Sequence, residues 1–122
     1  MKNLLTVLVS GIVLSVAGLA AEPAKPLTNK EAKQLTLTAS TPADHLRLAK
    51  HFELQAARLE AEAKEHAEMA RDYRANPTAS ETKRPGMADT AAHCERLSQD
   101  LATAAKDARA LAADHEAMAK QK

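Results

Sequence analysis

The chain has 122 residues, 45% of them hydrophobic, with 17 Lys and Arg against 16 Asp and Glu, no Trp, and Phe52 and Tyr73 as its only Phe, Tyr or Trp residues. That length holds one domain. The near-balance of charge argues against a nucleic-acid role, because phosphate binding needs a basic surplus on some face, and so few aromatics argue against a large aromatic-lined pocket. Cys94 is the single cysteine, so no disulfide forms within the chain.

The first twenty residues read as a targeting segment. Lys2 and Asn3 make a short basic start, Leu4 to Val16 is apolar apart from Thr6, Ser10, Gly11 and Ser15, and Gly18-Leu19-Ala20 places small residues where a signal peptidase needs them. Cleavage is expected after Ala20 or Ala21. The competing reading is an uncleaved anchor, but the apolar run falls short of the ~20 residues of a spanning helix. The expectation is an exported protein, periplasmic in a bacterium, with no stable membrane insertion once the segment is removed. Its removal takes away Lys2 and leaves 16 basic against 16 acidic side chains. These alternate in sign along the chain, which speaks against a basic membrane-surface stripe.

Residues 21–27 hold two prolines and are expected to form an extended leader to a helical domain over 28–122. Thr28 and Glu31 have the spacing of a capping box, and a short helix is predicted over about 29–39. Thr41 as N-cap, Pro42 at the first helical position and Asp44 at the positive helix end start a second helix over 42–75. Nothing breaks it before Asn76-Pro77, so it should reach about 50 Å. The stretch 76–86, with two prolines and a glycine, is the predicted turn, and the last helix is predicted over 87–119.

The predicted fold is all-α: a long antiparallel helical hairpin, coiled-coil-like, with a short N-terminal helix. Shifting the sequence by 49 residues superposes Leu48 on Leu97, Phe52 on Leu101, Ala56 on Ala105, His66 on His115 and Met69 on Met118, which suggests a duplicated helix. In heptad terms, His45, Phe52, Leu59, His66 and Tyr73 occupy a places and Leu48, Gln55, Glu62 and Met69 occupy d places. Cys94, Leu101, Ala108 and His115 continue the a row in the last helix, with Leu97, Ala104, Leu111 and Met118 at d. The a and d rows are expected to face inward. The neighbouring e places are nearly all alanine, a face that would admit another helix closely. Because so much alanine buries little apolar area, the hairpin is expected to be covered further, by its first helix, by a partner helix on the alanine face, or by self-association into a four-helix bundle.

A turn centred near residue 80 would set His66 opposite Cys94, Leu59 opposite Leu101, Phe52 opposite Ala108 and His45 opposite His115. Two ligand-bearing layers then bracket an apolar middle. The turn-side layer gathers His66, Met69, Cys94 and His93, and the open-end layer gathers His45, His115 and Met118. Imidazole, thiolate and thioether are donors for copper and other soft metals, and i, i+3 spacing puts His66 and Met69 on one helix face. The blander reading is that polar a places set register, Met fills gaps and a lone Cys packs as a small apolar group. In that reading His51 and His93 pair with Asp107 and Glu65.

Sharper chemistries lack their residues. The sequence has no H-E-x-x-H, C-x-x-C, phosphate-cradling Gly loop or G-x-S-x-G, so an enzyme is not expected. The layers are similar in a general way to those of periplasmic helical metal-handling proteins, and the scaffold to periplasmic four-helix cytochromes, without a shared motif. Two functions follow as expectations: binding of a soft transition metal, copper before zinc, or an envelope adaptor or chaperone-like coiled coil that binds none.

Overall fold

The computed structural model describes residues 24–76 and 89–121. The expected signal peptide, the first leader residues, the turn from residue 77 onward and Met87 lie outside the described residues. Within them are three helices and no strand: α1 (Asn29–Thr38), α2 (Pro42–Ala75) and α3 (Thr90–Lys120).

Each helix starts where a side chain satisfies the free backbone N–H groups of its first turn. For α1 the Glu31 N–H donates to Thr28 Oγ1 at 3.2 Å and the Thr28 N–H donates to Glu31 Oε2 at 2.7 Å. The same reciprocal box opens α2, where Asp44 N–H donates to Thr41 Oγ1 at 3.2 Å and the Asp44 carboxylate accepts from the N–H groups of Ser40 and Thr41. These bonds favour the ionised carboxyls and hold both below their usual values: for Glu31 chiefly the Thr28 backbone, for Asp44 chiefly the Thr41 hydroxyl. Asp89 caps α3 by accepting from Ala92 N–H at 2.9 Å, with its own backbone left-handed at φ 59°, a region Asp enters more readily than most residues. The helix therefore begins at Thr90, where the sequence had placed its start near Met87.

The two long helices pack against each other, antiparallel, as the periodicity predicted. Contacts along their length fix one register. His45 meets His115, the Ser98 hydroxyl donates to the Ala63 carbonyl at 2.7 Å, Glu60 pairs with Arg109 and Arg74 with Glu95. Opposed a places thus carry numbers that add to 160, as for 45 and 115.

The seam, however, lies on a and e rather than on a and d. Ala49, Ala56, Ala63 and Ala70 of α2 and Ala91, Ala105 and Ala112 of α3 are buried, flanked by half-buried His45, Phe52, Leu59, His66 and Tyr73. Of the d row only Leu48 is buried, at 0% exposure, while Met69 (37%), Leu97 (43%), Leu111 (44%) and Met118 (45%) stand at the surface. Two physical causes select this rotation. Alanine lets the helix axes come close and gain contact along their whole length, and a seam turned toward d would have buried Gln55 and Glu62 without partners. The alanine face expected to receive a partner helix is filled by the hairpin's other arm. Among the described residues the two inter-helix ion pairs, Glu60 with Arg109 and Arg74 with Glu95, join b places on one flank, so the d rows of both helices share the opposite flank.

α1 packs on α2, burying Ala32. The chain leading into it is tied down by His51, whose Nδ1–H donates to the Leu27 carbonyl at 3.0 Å. No described helix is long and apolar enough to cross a membrane.

Candidate imidazole site at the open end

His45 lies in the first turn of α2 and His115 near the end of α3, so the antiparallel register brings together side chains 70 residues apart. Their Nδ1 atoms approach to 3.1 Å, and the ring centroids are 5.4 Å apart with planes inclined by 25°. The centroid separation exceeds the nitrogen separation by about the sum of the two ring radii. The rings therefore meet edge to edge, with the nitrogens aimed at each other along the line of centres. Such a contact needs one ring to carry its proton on Nδ1 and the other to offer a lone pair.

The pair belongs to a longer row. The Phe52 ring lies parallel to that of His115, at 5.6 Å and 3°, and His51 meets Phe52 edge-on at 5.4 Å and 73°. His51 in turn holds Leu27 rather than Asp107. This row runs from α2 through α3 and back to the segment before α1, so ring orientation at the open end is coupled to the docking of the N-terminal segment. Burial, and then the neighbouring His45, disfavour the charged form of His115 and lower its pKa, with Asp114 acting in the opposite sense. The arrangement therefore sets two in-line imidazole nitrogens at the edge of the seam, with the neutral form favoured at His115. Met118 is one turn from His115 but exposed, on the d-row flank.

The turn-side layer is less gathered. The register that sets His45 opposite His115 sets His66 opposite Cys94, both half-buried, with Cys94 a free thiol. His66 Nδ1 is fully buried and has no hydrogen-bond partner among the described residues. Met69 and His93 are exposed, so of the four side chains read as one cluster, two belong to the seam and two to the surface. Among the described residues no three His, Cys, Asp or Glu side chains converge as a metal site would require of them.

The sequence singled out His45 and His115 as an opposed pair. It missed the row that orients them, although the adjacency of His51 and Phe52 beside an a place was the signal for it. No protein-family model matches this chain, and no curated protein or solved structure matches it.

Proposed function

We propose that this protein is an exported, non-catalytic binding protein for a soft or borderline transition metal, held by the imidazole-bearing layers of its helical seam. The observation that carries this reading is the 3.1 Å approach of the Nδ1 atoms of His45 and His115. Both are imidazole nitrogens, a donor type that copper and zinc accept. The reading moves the weight of the site to the open end. His66 and Cys94 form a second, nitrogen-and-sulfur place toward the turn, supported by the orphaned His66 Nδ1, and Met69, His93 and Met118 are flanking donors at the surface.

The test is metal analysis of untagged protein recovered from its natural compartment, followed by titration with copper and zinc of the unaltered chain, His45→Gln/His115→Gln and His66→Leu/Cys94→Ala. Stoichiometric binding lost in the first double variant supports the reading. Absence of metal as isolated, together with no uptake at micromolar concentration, defeats it.

One specific observation favours a second reading, a metal-free adaptor or chaperone-like hairpin. Met69, Leu97, Leu111 and Met118 stand exposed on one flank, an apolar row of the kind that binds a partner or a second copy. Under it, removing the histidines leaves function intact, whereas Leu97→Glu and Leu111→Glu abolish it.

A further inference from the structure

We infer that the His45–His115 pair is a linear, two-coordinate site for a soft monovalent ion of the Cu(I) class, each ring donating through Nδ1. This deepens the metal-binding reading and rests on it. The centroid and nitrogen separations, 5.4 and 3.1 Å, place the two nitrogens on the line between the rings, so their lone-pair axes are nearly collinear. A hydrogen bond uses that line for one proton, and a two-coordinate ion uses it for itself.

Distance agrees with only a small adjustment. Bonds of ~2 Å on either side of an ion would set the nitrogens about 4 Å apart, an opening of somewhat under 1 Å from the present contact. Both rings are half-buried at the end of the hairpin, where a small outward shift of the His45 side chain along the line of centres can supply it. A tetrahedral ion sits off the line between its ligands, so both rings would have to turn away from their in-line aim. His115 resists that turn because its ring is aligned with that of Phe52, 5.6 Å away at an inclination of 3°, and the His51 ring against Phe52 is itself anchored to the Leu27 carbonyl. Zinc would also need at least one further protein donor. The proton balance closes without an added acid or base: the Nδ1 proton shared between the two rings moves, through water, to Nε2 of the ring that carries it, and both Nδ1 lone pairs are then free for the ion.

The experiment uses the full mature chain carrying Cys94→Ser, which prevents thiol capture of the probe, with silver(I) as a redox-inert ion of the same charge and geometry. Histidine is labelled with nitrogen-15. The expected result is one equivalent bound, with the Nδ1 resonances of both His45 and His115 shifted and split by coupling to silver while the Nε2 resonances keep their protons. His45→Gln and His115→Gln should each weaken binding by at least about tenfold, with helix content unchanged by circular dichroism, and zinc should not displace the silver. Silver coupled to neither Nδ1, affinity untouched by either substitution, or zinc bound in preference to silver would each overturn the inference. The failures are distinguishable: a Cys94-containing chain that takes up metal while the Cys94→Ser chain does not leaves the general metal-binding reading standing, whereas a chain that takes up no metal in any form removes both.

Discussion

Arg109 grips Glu60 with two parallel hydrogen bonds, 2.8 Å from Nε to Oε1 and 2.7 Å from Nη2 to Oε2, across the outer flank of the hairpin at a sequence separation of 49. That separation is also the period of the internal repeat, so the pair joins equivalent places of the two arms where one arm crosses its own image. The bond holds the Glu60 carboxyl below its usual value and raises the Arg109 guanidinium above its own. Both side chains are about half exposed, so the pair reports register more than it supplies stability. Glu60→Arg should lower the melting temperature by placing two cations face to face, and Glu60→Arg/Arg109→Glu should recover most of that loss. If the double variant is no better than the single, the register is different.

The alanine seam gives the sharpest stability contrast. Ala56 has no exposed surface, so Ala56→Leu forces the helix axes apart and should cost about 1–3 kcal/mol. Ala57, the next residue, is exposed, and Ala57→Leu should stay within about 0.5 kcal/mol of the unaltered chain. Urea unfolding of the pair checks both at once. Equal effects would mean that the seam does not run along the alanine row.

Leu48 and Ser98 test what the seam tolerates at its two exceptions. Among the described residues Leu48 is the one large side chain that is fully buried, so Leu48→Ala should cost about 2–5 kcal/mol, a large share of what so thin a core supplies. Ser98 occupies a place where its equivalents Ala91, Ala105 and Ala112 are alanine, and its hydroxyl donates to the Ala63 carbonyl. That carbonyl already serves the α2 ladder, so Ser98→Ala should change stability by no more than about 0.5 kcal/mol. Chemical denaturation of the two variants in parallel measures the difference.

Much of this architecture was readable in the residues, and the parts that were not have definite reasons. Thr28 with Glu31 and Thr41 with Asp44 announced both helix starts because capping is local chemistry. The opposition of His45 and His115 followed from the repeat of seven and a turn near residue 80. The seam's rotation did not, since α3 carries apolar or small residues at nearly every a, d and e place and periodicity cannot choose between neighbouring rows. Side-chain volume chose, through the continuous alanines at e and the polar Gln55 and Glu62 at d. Met69 and Met118 consequently moved from the expected ligand layers to the flank. Asp89 escaped notice as a cap because its left-handed backbone is a conformation and not a pattern.

Acid should open the molecule from the histidine end before it reaches the carboxylates. His115 in the folded chain titrates below its ordinary value of 6.5, first because burial disfavours the imidazolium and then because His45 faces it from α2, while Asp114 on its own helix moderates the effect. An unfolded chain therefore binds more protons than the folded one below about pH 6.5, and stability falls as pH falls through that window. Glu31, Asp44 and Glu60 are held below their ordinary values of 4.5, 3.8 and 4.5, so what they contribute persists through this range and is lost only at lower pH. Melting temperatures measured from about pH 8 to about pH 5 at constant ionic strength should decline for the unaltered chain and stay nearly level for His115→Phe, which keeps the ring on Phe52 without the titrating group. A variant curve as steep as the parent's would place the acid sensitivity elsewhere. A metal bound between the rings would carry the decline to lower pH, because protons would then have to displace it.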